Sequence, residues 1–200
     1  YELPVGGAGT RLGVAYSHLD YELGKDFASI EGSGEADVVE LTMTHPLIRS
    51  RAHNLFGKIG WQEKWLDDRL SGQDSGKRIR NFNFGLAYEQ RDRLLGGGYT
   101  SASVTGFLGH LSFNSDRQHI ADSGRQTEGH FEHWNYSVSR LNALAGKFNL
   151  FFGMTGQFSD KNLDSAEKIA LGGPHAVRAY APSEATVDEG HVANLELRYS

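Results

Sequence analysis

Ile79-Arg80-Asn81-Phe82-Asn83-Phe84-Gly85-Leu86-Ala87-Tyr88-Glu89-Gln90 alternates without a break. Phe82, Phe84, Leu86 and Tyr88 share one face of an extended chain, and Asn81, Asn83, Gly85, Ala87 and Glu89 share the other. That period of two is the mark of a strand, since successive side chains point to opposite faces. One strand does not say whether its apolar face is buried in a core or turned to lipid: a soluble sandwich with one wet face and a membrane strand alternate alike. The number of such strands and the lengths of their connections decide.

The pattern recurs. Val39, Leu41 and Met43 oppose Val38, Glu40, Thr42 and Thr44, and Leu55, Ile59 and Trp61 oppose Lys58, Gly60 and Gln62. Trp134, Tyr136 and Val138 oppose His133, Asn135, Ser137 and Ser139, while Phe148, Leu150, Phe152 and Met154 oppose Asn149, Phe151, Gly153 and Thr155. At the C-terminal end, Ala193, Leu195, Leu197 and Tyr199 oppose Val192, Asn194, Glu196 and Arg198. Two stretches are weaker. In Thr10 to Leu23 the apolar parity shifts from Leu12, Val14 and Tyr16 to Leu19, Tyr21 and Leu23, which predicts a bulge or an exit from the bilayer, and in Tyr99 to Leu111 the two faces differ little. Together these give about eight strands, each near the roughly 9–11 residues of a tilted membrane strand.

The connections sort by length in alternation. Gly24 to Ala36, Asp67 to Lys77, Asn114 to Glu128 and Asp160 to Gly190 are long and polar, whereas Pro46 to Arg51, Arg91 to Gly98 and Asn142 to Lys147 are tight. Long loops on one side and short turns on the other are the arrangement of an antiparallel up-and-down transmembrane β-barrel of the outer-membrane kind. A sandwich has no reason to segregate them. On this all-β reading the aromatic face of each strand meets lipid, and Glu40, Lys58, Glu89, Glu196 and Arg198 face a hydrated lumen.

Composition is compatible with that fold and removes others. The chain has 200 residues, no Cys, 25 Gly, 4 Pro, a formal charge of -5 and a mean hydropathy of -0.47. The absence of Cys excludes disulfides and thiolate metal sites, the acidic balance argues against a nucleic-acid partner, and no apolar run approaches the roughly 20 residues of a spanning helix. Barrel strands escape such averages, because half of each is polar. A first residue of Tyr, with no start Met or signal segment, is expected of a piece of a longer chain.

No residue set predicts catalysis, a cofactor or a metal. His130 and His133 lie three apart, so on a strand they point to opposite faces and do not share an ion. Gly6-Gly7-Ala8-Gly9 and Gly96-Gly97-Gly98 read as turns, since neither joins a strand to a helix as a phosphate loop does. Paired acids such as Asp67-Asp68 and Asp188-Glu189 lie in loops, where solvation is the ordinary state.

Several segments in chain order resemble a known family. Asp20-Tyr21-Glu22-Leu23-Gly24, the run Gly32 to Val39, His45-Pro46-Leu47-Ile48-Arg49-Ser50-Arg51 with Asn54-Leu55, and the block Ser165 to Arg178 followed by Gly190 and Glu196-Leu197 resemble the outer-membrane transporters of two-partner secretion, the hemolysin and hemagglutinin exporters. The resemblance implies that residues 1–200 are a central fragment of a sixteen-strand translocator barrel preceded by two periplasmic polypeptide-transport-associated domains and a plug helix. It implies that the loop at about 160–190 folds into the lumen, with Gly172, Gly173, Val177, Arg178 and Tyr180 forming its transport motif; Ala179 stands where the family has Gly. A guanidinium suits such an anchor, because its planar fork grips a carboxylate in two hydrogen bonds where an ammonium makes a point contact. The function implied is export of an unfolded adhesin or hemolysin-like partner across the bacterial outer membrane, with that partner and the membrane lipid as the contacts, and with no cofactor. An outer-membrane assembly factor of the same superfamily, a passive porin and a soluble β-sandwich binding protein are the alternatives.

Overall fold

The computed structural model describes residues 1–22, 32–70, 73–144, 146–173, 177 and 185–199. The alternating stretches form one sheet. Its strands are β1 (Glu2–Val5), β2 (Thr10–Glu22), β3 (Ser33–Arg49), β4 (His53–Leu70), β5 (Gln73–Asp92), β6 (Gly98–Phe113), β7 (Gly129–Ala143), β8 (Phe148–Ser159) and, after a two-stranded ribbon of β9 (Ile169–Ala170) and β10 (Thr186–Val187), β11 (Gly190–Tyr199). The nine strands lie in the order β1-β2-β3-β4-β5-β6-β7-β8-β11, and every ladder is antiparallel. This is the meander of an up-and-down barrel, left open with β1 and β11 at its edges. A short helix, α1 (Asp116–Asp122), sits between β6 and β7.

Register places the expected apolar residues in continuous rows. Leu12, Met43, Ile59 and Phe84 follow one another across four strands, as do Val14, Leu41, Trp61, Phe82 and Leu108 across five. Side chains of this face stay open: Phe82 in the second row is 47% exposed, and Leu86 on the same face of β5 is 46% exposed. A sandwich would cover those rings with a second sheet, and among the described residues no sheet lies over them. The apolar band stops at both ends. Toward the short turns, Arg140 on β7 grips Asp92 on β5 with two hydrogen bonds of 2.8 Å. Toward the long connections, Glu63 accepts from both Arg78 and Arg80, and His18 lies 2.9 Å from Asp37. Along β5 the band runs the ten residue steps from Arg80 to Gln90. That is about 33 Å of strand, or about 25 Å of membrane at a tilt of about 40°.

Two expectations change and a third narrows to one of its alternatives. Asp67 to Lys77 is no long loop: β4 and β5 stay paired out to Leu70 and Gln73, with Arg69 Nε 2.6 Å from Asp74 Oδ1. The segment is polar because it rises beyond the apolar band, and polarity alone does not separate a strand in water from a loop. For the same reason β3, β4 and β5, of 17, 18 and 20 residues, are far longer than a membrane crossing. Third, β2 pairs with β3 residue by residue from Arg11 to Glu22, so the parity shift after Tyr16 marks the exit from the apolar band and not a bulge.

The buried apolar cluster lies on the polar face. Ile79, Leu111 and Phe131 from β5, β6 and β7 enclose Leu163, which follows β8, with Leu66 and Phe113 packed beside them. Among the described residues the sheet has no second layer of strands to pack against, and the segment after β8 takes that place.

Candidate functional site

Beyond Ser159 the chain turns back onto the polar face. Glu132 N–H donates to Asp160 Oδ1 at 2.9 Å, and Lys161 Nζ donates to the Glu128 carbonyl at 2.8 Å, which fixes the bend. Leu163 then enters the cluster and is 1% exposed, a burial worth about 1.5–3 kcal/mol. Lys77 on β5 pairs with Asp164 at 3.0 Å.

At Glu167 the contact becomes ionic and dry. Its carboxylate receives Lys64 Nζ from β4 at 2.8 Å, Asn81 Nδ2 from β5 at 3.1 Å and His133 Nε2 from β7 at 3.2 Å. Its carbonyl accepts from Gln157 Nε2 on β8 at 3.0 Å. The Glu167 and His133 side chains are 4% and 3% exposed and Lys64 17%. Burial pushes the Glu167 carboxyl up, but the hydrogen bond from His133 and the charge and hydrogen bonds of Lys64 and Asn81 outweigh it, so it sits below its ordinary range. Deleting one partner of a buried charge pair costs about 3–5 kcal/mol. His133 is itself clamped, stacked on Phe107 with centroids 4.5 Å apart and planes 10° apart. His130, three residues earlier, lies on the opposite face against His110.

Farther on, the segment folds on itself. Asp188 Oδ1 accepts from Leu163 N–H at 2.7 Å and pairs with Lys168 at 3.2 Å, and the β9 and β10 ribbon closes the stem. Gly172 and Gly173 are buried, Gly172 forms a bridge with Val177, and Val177 N–H donates to the Leu171 carbonyl at 3.0 Å. Gly173 has φ of 114°, a conformation that a side chain opposes. The sequence motif therefore comes together as far as Gly172, Gly173 and Val177. Arg178 and Tyr180 lie outside the described residues, as does Ala179.

The five charged residues assigned to the polar face are there by register. Lys58 pairs with Glu40 at 3.5 Å, Arg198 pairs with Glu196 at 2.8 Å and lies over the Phe151 ring, and Glu89 stands between Asn54 and Ser101. These pairs are open to solvent, and each is worth about 0–1 kcal/mol. Between them the wall is neutral and polar, with Ser103 and Ser137 hydroxyls 2.9 Å apart.

Sequence reasoning missed Glu167, Lys64, Asn81 and Gln157 as a unit. The partners of Glu167 are 103, 86 and 34 residues away, so no spacing brings them together. Strand parity already placed Asn81 and His133 on the polar side, and nothing marked Glu167 as buried.

Comparison with known proteins agrees with this architecture. The sequence model of the family described as haemolysin secretion/activation protein ShlB/FhaC/HecB matches residues 1–200. The chain is 31% identical over 202 residues to a heme/hemopexin transporter protein, HuxB, of Haemophilus influenzae, and 30% identical to that of its strain KW20, covering all of this chain and 35% of each relative. Among solved structures it is similar to CdiB from Escherichia coli, with a TM-score of 0.82 and 21% identity, and to CdiB from Acinetobacter baumannii, with a TM-score of 0.74 and 18% identity; all of this chain covers 37% and 35% of those chains. At these identities the two structures speak to the fold. The chain spans about a third of the length of the relatives it matches.

Proposed function

The chain belongs to the haemolysin secretion/activation family ShlB/FhaC/HecB, whose members are outer-membrane β-barrel proteins, and from that premise we propose that it is the central part of a pore exporting an unfolded partner protein by two-partner secretion. The observation that carries the reading is the segment Asp160 to Gly173 folded onto the polar face of a sheet whose other face is an apolar band. A lipid-facing exterior and a polar wall with a resident loop are what a gated polypeptide pore requires, whereas a passive porin needs only the wall. On this reading Glu40, Lys58, Glu89, Glu196 and Arg198 line the passage, and their weak, wet ion pairs let a polar chain slide past. Transport needs no bond chemistry from the barrel, and folding of the cargo outside biases its movement.

The cargo is a secreted protein of adhesin or hemolysin type. A second reading has a specific ground: the relatives carry the name heme/hemopexin transporter, which makes a secreted heme- or hemopexin-binding partner the other cargo to test. Arg178 is the proposed anchor of the loop tip, through a charge-assisted contact with a carboxylate of the wall. In the full-length protein, Arg178→Ala is expected to leave an inserted barrel and to reduce cargo in the medium sharply, with Arg178→Lys intermediate. Cargo is measured against barrel abundance in the outer membrane for both partner types. Normal export by the Ala variant at equal abundance rejects the anchor, and export of neither cargo by the parent rejects the secretion reading.

A further inference from the structure

We infer that Glu167 is a second and separate fastening point, which holds the root of the loop, residues 160–173, against the wall through Lys64, Asn81 and His133. Four observations carry this. The carboxylate is shared by side chains from three strands, β4, β5 and β7, and the adjoining carbonyl is held by Gln157 from β8, so one loop residue ties four strands. The site is dry, where each contact is stronger than in water and an unpartnered charge is costly. The wall is shaped for it: a Cβ on Gly109 would lie 2.1 Å from Phe131 Cζ and 2.4 Å from Asn81 Oδ1, so only glycine lets both side chains occupy that space beneath the loop. The surroundings are continuous, since Leu163 lies in the apolar cluster four residues before, and Asp164 pairs with Lys77. None of these contacts involves Arg178.

Glu167 is thus a positioning residue for the segment that follows it. The consequence for the pore, though not the fastening itself, rests on the proposed function: with the root held, residues 160–173 narrow the passage, and with the root free, the passage widens. Because the chain has no Cys, Leu163→Cys is a clean reporter in full-length protein freed of any other thiol. Leu163 is 1% exposed, so its thiol reacts with N-ethylmaleimide only when the root leaves the wall.

In detergent-purified protein, Glu167→Gln is expected to raise the labelling rate about tenfold, with heat-modifiable migration confirming a folded barrel. Lys64→Met is expected to act in the same direction, and the double variant to add little to either single change, as a shared contact requires. Lys58→Met, which removes a cation elsewhere on the same face, leaves the rate unchanged. Labelling at the parental rate in both Glu167→Gln and Glu167→Ala overturns the inference, and so do strictly additive effects of the Lys64 and Glu167 changes. Conductance in planar phosphatidylcholine bilayers separates the two readings. A rise in conductance alongside labelling supports both, whereas faster labelling at unchanged conductance supports the fastening and rejects the pore.

Discussion

At Glu167, burial and hydrogen bonding oppose each other, and their balance sets a pH dependence. Its carboxyl is held below the ordinary range in the fold, so its favourable contribution is complete above the unfolded value of about 4.3 and is lost as pH falls through the lower folded value. The difference in thermal unfolding temperature between parent and Glu167→Gln is therefore expected to be full at pH 7 and to shrink below about pH 4. A constant difference from pH 7 to pH 3 would place the effect in packing instead. Residue-scale legibility was uneven for a physical reason. Gly172, Gly173 and Val177 were picked out through the family resemblance, and of the three only Gly173 carries a backbone mark of its own, a positive φ that favours glycine. A lone Glu in a polar segment carries no such mark. Its burial depends on where Lys64, Asn81 and His133 are brought by the closing of the sheet.

The strands themselves were legible wherever one face meets lipid. Alternation located the cores of β3, β4, β5, β7, β8 and β11, because their outward residues must all be apolar. It failed beyond the band, where both faces of β4 and β5 are polar, and it missed β1 and α1, which are short. Within the sheet, glycine positions divide by face. Gly106 lies on the apolar face, where a Cβ would meet Phe84 and Trp134 at 2.9 Å, two rings already in edge contact with each other. Those rings can swing outward into lipid. Gly109 lies on the polar face of the same strand, and the atoms above it are confined by Glu167 and the Leu163 cluster. Gly109→Ala is expected to destabilise the protein by about 1–3 kcal/mol through overpacking and to speed labelling at Leu163→Cys, whereas Gly106→Ala should do neither to the same extent. Guanidinium unfolding midpoints in lipid test the first half, and equal costs at the two glycines reject the distinction.

For the molecule as a whole the proposed function has the two faces of one sheet meet different solvents, and the sharpest test exchanges a charge between them. Leu86 lies near the middle of the apolar band, between Gly57 on β4 and Val104 on β6, and is 46% exposed in the absence of lipid. An arginine there must enter hydrocarbon or drag water inward, at a cost of about 2–4 kcal/mol near the midplane. The control must be an exposed residue of the other face at similar height. Asn83 is unsuitable, because it is 5% exposed and its amide fills the space above Gly60. Thr155 on β8 is exposed and stands between Ser137 and Val192, on the polar side. Thr155→Arg keeps its charge in water if that side is a lumen, so its cost is expected to be below about 1 kcal/mol. Both variants are refolded into vesicles across a urea series and compared with the parent. A large penalty at Leu86 with little at Thr155 follows from lipid outside and water inside, and equal penalties at the two sites contradict it.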